Sequence, residues 1–178
     1  QNDPELKDGI AALPDALRAA RSFGQDGDWS AAIDVLAPAR NIMVVGRGIS
    51  FPLALESALK FKETCGIQGE SYSAAEVMHG PVSIVTKGYP VLGLAARDAA
   101  EGSVADMAHK LAGQGARAFL TSDRPGAAKR LSFAATGHPI TDPLALIVSF
   151  YGFVEALARH RGLDPDQPPM LRKVTETL

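Results

Sequence analysis

Short apolar runs alternate with helix-patterned stretches along most of this chain, and that alternation constrains the fold more than any other feature. The runs at 42–45 (IMVV), 89–95 (YPVLGLA) and 116–120 (ARAFL) show little internal polar alternation. A strand with one wet face would alternate, whereas a strand buried on both faces does not. The stretch 131–135 (LSFAA) is a weaker strand candidate, because Ser132 interrupts it. The expected helices between these runs are 52–65, 100–112, 127–131 and 143–160, preceded by 4–23 and 29–36. Strands alternating with helices predict an α/β three-layer sandwich. Its central parallel sheet should hold about five strands in flavodoxin-like winding.

Local signals refine this outline. Pro14 should break or restart the first helix, since a proline inside a helix removes one backbone donor. Asp28 is a candidate N-cap for the second helix, and Pro52 suits the first turn of the third. In that third helix, Ala54, Ala58, Phe61 and Cys65 share one face. Glu56, Lys60 and Glu63 line the other. The tail LDPDQPPMLRKVTETL is Pro-rich and then polar, so it reads as an extended segment.

Composition excludes several function classes. With 178 residues, 46% of them hydrophobic and 21% charged, the chain suits one ordinary folded domain. A net charge of -2 and 6% aromatic content give neither a basic face nor stacking platforms for nucleic acid. The longest apolar-leaning run, 144–154, has eleven residues, against the ~20 needed to cross a bilayer. One cysteine and four histidines without zinc-type spacing predict neither disulfide nor metal. The first residues show no secretory pattern. A cytoplasmic protein is expected.

The segment VVGRGISFPLALESALK joins a strand to a helix through Gly46-Arg47-Gly48. A helix N-terminus at the carboxyl end of a parallel strand attracts anions. The third glycine of the dinucleotide fingerprint is missing, however, and no phosphate-binding G-x-x-x-x-G-K-[ST] occurs. The turn either faces an anion or simply connects two elements.

Three blocks carry a more specific signal: VVGRG followed by ALESALKFKE, then EVMHGP, then DPDQPPMLRKVTETL. Together, in this order and spacing, they resemble the second sugar-isomerase (SIS) subdomain of the glucosamine-6-phosphate synthase isomerase half. They look still more like the shorter SIS-type glucosamine-6-phosphate deaminases and related phosphosugar isomerases. The resemblance covers about residues 30–178. It implies that residues 28–178 form the second of two SIS subdomains and that 1–27 is the linker helix between them. It also implies a homodimer, a sugar phosphate substrate, and no metal or organic cofactor.

By this resemblance Glu63 is the base that moves a proton between sugar C1 and C2. Helix spacing alone reads it as a solvated carboxylate beside Lys60. Glu56 and Lys60 form a favourable i,i+4 pair, and the resemblance adds a role in orienting Glu63 and the sugar. His79 is implied in ring opening, where a group titrating near neutrality passes a proton between O5 and O1. In the family it reaches the site of a neighbouring subunit. Lys173 is implied as a clamp or Schiff-base group, and otherwise reads as a solvated tail lysine. Arg47, with Gly46 and Gly48, would face the sugar phosphate or be solvated.

Two departures from the family pattern stand out. The stretch LAARDAAEGS lacks the Ser/Thr-rich phosphate loop of the first SIS subdomain, and its Asp98 and Glu101 would repel a phosphate. The N-terminal cysteine nucleophile of the glutaminase half is absent too. The expected function is therefore the C-terminal half of a phosphosugar isomerase or deaminase acting on an amino-sugar 6-phosphate. A non-catalytic, sugar-phosphate-binding regulatory SIS module is the alternative.

Overall fold

A computed structural model describes residues 3–25 and 29–168. The elements run α1 (Pro4–Gln25), α2 (Ser30–Leu36), β1 (Asn41–Gly46), α3 (Phe51–Cys65) and β2 (Gln68–Ser73). They continue with β3 (Pro90–Gly93), α4 (Glu101–Gly113), β4 (Arg117–Leu120), β5 (Lys129–Arg130) and α5 (Asp142–His160). All strand pairings are parallel, and the order across the sheet is β2-β1-β3-β4-β5. This is the expected flavodoxin-like winding.

Period-two geometry divides the strand side chains between two cores. Ile42 and Val44 of β1, Leu92 of β3 and Phe119 of β4 point to the face covered by α2, α3 and α5. There Phe61 meets Phe150 edge-on at 5.3 Å, and Trp29 lies 5.3 Å from Phe153. Met43, Val45, Val91, Ala118 and Leu120 point to the other face, under Val104, Ala105, Ala108 and Leu111 of α4. Trp29 also donates from Nε1 to the Ser132 carbonyl at 2.7 Å, which ties the start of α2 to the segment after β5.

Helix α1 lies outside these layers, packed on α5 through Ala16, Ala20 and Ala145. It passes through Pro14 without a break, contrary to expectation. Pro14 and Ile10 are both exposed, so water replaces the hydrogen bond that the proline cannot donate. Asp28, the expected N-cap of α2, lies outside the described residues.

Three further expectations are corrected. Residues 68–73 form an edge strand that no apolar run signalled. The stretch 127–131 is not a helix, since Lys129–Arg130 form the last strand of the sheet instead. Residues 131–135 are not a strand. The Leu131 amide still bonds the Leu120 carbonyl at 2.7 Å, and the chain then leaves the ladder with Leu131 and Phe133 buried in the core.

Candidate functional site

Helix α3 presents most of the chemistry. It starts at the carboxyl edge of β1, after a turn that only glycines accommodate. A Cβ on Gly46 would stand 2.7 Å from the Ser50 carbonyl oxygen, and Gly48 has φ +62. The helix ends at Gly66, which adopts the left-handed conformation expected of a helix-terminating glycine. Ala54, Ala58, Phe61 and Cys65 are buried on one side, as their spacing predicted. Burial raises the Cys65 thiol pKa.

On the other side, Glu56, Lys60 and Glu63 form one constellation. Lys60 Nζ lies 2.7 Å from Glu63 Oε2 and 3.7 Å from Glu56 Oε1. The three side chains are 27–33% exposed, neither free in solvent nor sealed. The hydrogen bond to Glu63 is the main cause that raises the Lys60 pKa; burial opposes it and the Glu56 charge adds to it. A fourth member comes from α5, where the Tyr151 hydroxyl donates to Glu56 Oε1 at 3.0 Å. Burial, then the bond to Glu56, raises the Tyr151 pKa, so the phenol keeps its proton at neutral pH. Sequence reasoning missed Tyr151. Its one available signal was a hydroxyl-bearing, half-exposed position within the apolar run 144–154.

His79 sits elsewhere. It ends a short 3-10 turn, Val77–His79, after the carboxyl end of β2, and it is exposed. Ser73 is in register with Gly46 at that edge of the sheet. Helix α3 runs the other way. After its end, Gln68 at the start of β2 donates to the Arg40 carbonyl at the amino edge. At 1.5 Å rise per residue, Glu63 lies about 18 Å down the helix from Phe51. One copy of the chain thus holds Glu56, Lys60 and Glu63 together and leaves His79 at the opposite edge.

Arg47 is also at the carboxyl edge, and its guanidinium donates to Ser103 Oγ at 3.0 Å. Beside it Asp98 accepts the Ile49 amide at 3.3 Å and the Ala100 amide at 3.0 Å. Asp98 Oδ2 lies only 2.6 Å from where a Gly48 Cβ would stand. The acidic residue that the sequence set against a phosphate therefore occupies the turn itself. Lys173 lies outside the described residues. Among the described residues, no group of three or more His, Cys, Asp or Glu could hold a metal ion. No described helix is long and apolar enough to cross a membrane.

Winding, glycine turn and α3 constellation together define an α/β domain of the phosphosugar isomerase type. The chain belongs to the SIS domain family, whose model matches residues 35–151. It is 33% identical to the glutamine–fructose-6-phosphate aminotransferase [isomerizing] of Zymomonas mobilis, with 97% of this chain and 29% of that protein covered. The Agrobacterium fabrum protein of the same name is 38% identical, over 75% of this chain and 23% of its own length. The chain thus spans less than a third of these relatives. Among solved structures, a Silicibacter pomeroyi protein provisionally described as a phosphosugar isomerase superposes with a TM-score of 0.84 at 48% identity. That match covers 92% of this chain and 49% of the other. The C-terminal domain of the Francisella tularensis glucosamine-fructose-6-phosphate aminotransferase gives 0.75 at 25% identity, covering 92% and 46%.

Proposed function

We propose that this chain supplies the second-subdomain half of a phosphosugar isomerase or deaminase, with an amino-sugar 6-phosphate as substrate and Glu63 as the enolisation base. The observation that carries this reading is the Lys60–Glu63 contact at 2.7 Å. Enolisation requires a carboxylate that takes a proton from one carbon and returns it to its neighbour. The base must be ionised before it takes the proton, carry that proton while the enediol stands, and point one way throughout. Lys60 serves the last of these needs, because its hydrogen bond fixes the Glu63 rotamer. Glu56, held by the Tyr151 hydroxyl, braces Lys60 from the preceding turn.

His79 opens the ring in this scheme by passing a proton between O5 and O1. Its distance from Glu63 within one chain supports an active site shared between two copies, Glu63 from one and His79 from the other. Lys173 would clamp or trap the open-chain sugar. Residues 1–27 would link this subdomain to a preceding one that supplies the phosphate cradle.

The test follows proton exchange directly. The assembled enzyme is incubated with fructose 6-phosphate in deuterium oxide, and label at C1 is read by NMR. Glu63→Gln should slow exchange by about 10²–10⁴-fold, the usual contribution of a positioned acid or base, while sugar phosphate still binds. Exchange at the wild-type rate in that variant would refute the assignment.

A further inference from the structure

Lys60 has two acidic neighbours on its own helix, and the fold gives it to the one that helix chemistry favours less. Glu56 and Lys60 stand at i,i+4 with the glutamate first, the better orientation for a helical ion pair. Lys60 and Glu63 stand at i,i+3 with the charges in the reverse order. Yet the Lys60 ammonium donates to Glu63 Oε2 at 2.7 Å and keeps 3.7 Å from Glu56 Oε1, too far for a hydrogen bond. We propose that Tyr151 makes this choice and is thereby a positioning residue for proton transfer at Glu63, a role that rests on Glu63 as the enolisation base.

The contact responsible is the hydrogen bond from the Tyr151 hydroxyl to Glu56 Oε1 at 3.0 Å. That oxygen is the one nearest Lys60, so phenol and ammonium compete for the same acceptor. On a partly solvated helix surface the two lysine pairs differ by little, and one hydrogen bond to a carboxylate suffices to tip the balance. With Oε1 engaged by the phenol, Glu56 holds Lys60 only by charge at a distance. The ammonium is left to close on Glu63.

Tyr151 suits this task because it does not ride on α3. Glu56, Lys60 and Glu63 all belong to that one helix, and their long side chains can trade partners by rotamer changes alone. Tyr151 belongs to α5, where its neighbour Phe150 is fully buried and edge-on to Phe61 of α3, 5.3 Å between ring centres. The contact that joins the two helices thus also sets the phenol over the first carboxylate of the row. A tyrosine has only two side-chain torsions, so it loses little freedom in holding one place. At 41% exposure its side chain adds modestly to the core. The bond to Glu56 is the contact that a phenylalanine could not make.

Deuterium exchange at C1 of fructose 6-phosphate tests the proposal in the assembled enzyme, comparing wild type, Tyr151→Phe, Glu56→Gln and the double variant. Tyr151→Phe should lower kcat by about tenfold, the worth of one hydrogen bond to a charged group, and leave KM unchanged. In the Glu56→Gln background the same change should cost nothing further, because the competing carboxylate is gone. Nitrogen NMR of the lysine ammonium groups reads the contact without turnover. The Lys60 resonance should move in Tyr151→Phe and stay in place when that change is made in the Glu56→Gln protein, with melting curves confirming that every variant folds. Wild-type kcat in Tyr151→Phe overturns the proposal, as does an unmoved Lys60 resonance. An equal loss in both backgrounds overturns it too, since that marks a merely structural tyrosine, and a rise in KM alone would place the phenol on the sugar instead. Loss of exchange in Glu63→Gln with full exchange in Tyr151→Phe removes the positioning role alone. Wild-type exchange in Glu63→Gln removes the enolisation base, and the positioning role falls with it.

Discussion

Gly24 offers a sharp test of how α1 is held. An added Cβ would stand 1.9 Å from the Ser149 carbonyl oxygen and 2.8 Å from the Phe153 amide nitrogen, both backbone atoms of α5. Ordinary contact begins near 3.4 Å, so Gly24→Ala must open the helix pair by about 1.5 Å, enough to forfeit most of the local dispersion contact. Overpacking of this kind costs about 1–3 kcal/mol. A 1.9 Å approach to backbone puts the cost at the upper end of that range, and the roughly 0.5–1 kcal/mol that a helical glycine-to-alanine change returns leaves a net destabilisation of about 2 kcal/mol. For a chain of this size each kcal/mol shifts Tm by about 2–4 °C, so a fall of roughly 4–8 °C is expected. Thermal unfolding should be read together with hydrogen exchange of the α1 amides, which should lose protection before those of β1. Gly113→Ala is the control, because no atom lies within 4 Å of its would-be Cβ and its expected effect is neutral to mildly stabilising. An unchanged or raised Tm for Gly24→Ala, with α1 protected as in the parent chain, would refute the close-packing argument.

Other perturbations probe the site and the core. Lys60→Met should lower turnover in the deuterium-exchange assay by freeing Glu63, yet change stability by less than about 1 kcal/mol, because the ion pairs are partly solvated. The folded-state pKa of Lys60 is raised above 10.5. Its contribution is therefore complete below pH 10.5 and lost as pH climbs through the raised value, so wild-type and Lys60→Met melting curves should differ by the same amount from pH 6 to 9 and converge only in strong alkali. Trp29→Phe keeps most of the aromatic packing on Phe153 but leaves the Ser132 carbonyl without its 2.7 Å donor; a loss of about 1–3 kcal/mol in urea unfolding is expected.

The sequence was most legible where burial is two-sided. Val44, Leu92 and Phe119 belong to runs whose apolar character follows directly from cover on both faces, and α3 was readable from its buried stripe. β2 was not. As an edge strand it buries Gly69 and leaves Gln68 and Glu70 in solvent, so its residues carry the mark of an exposed segment. The region 125–135 misled for a different reason. Beyond the Leu131 amide its apolar residues fill the core without ladder bonds, and Gly126 is pressed against the His109 ring, 2.3 Å from where its Cβ would be. His109 Nδ1 accepts the Ala128 amide at 3.1 Å and Nε2 meets the Arg124 carbonyl at 3.1 Å. A contact made across the fold fixes that loop, and no local pattern encodes it. The helix spacing placed Glu56, Lys60 and Glu63 together, whereas the contribution of Tyr151 and the remoteness of His79 are tertiary facts.

The two-residue strand β5 also matters for how the protein behaves in bulk. An unpaired sheet border is a template on which other chains can stack. Here one border is only Lys129 and Arg130, too short and too cationic to recruit a neighbour, and the opposite border bears Gln68 and Glu70. The features that hid both borders from a hydrophobicity reading are the same ones that guard concentrated solutions of this chain against fibre growth.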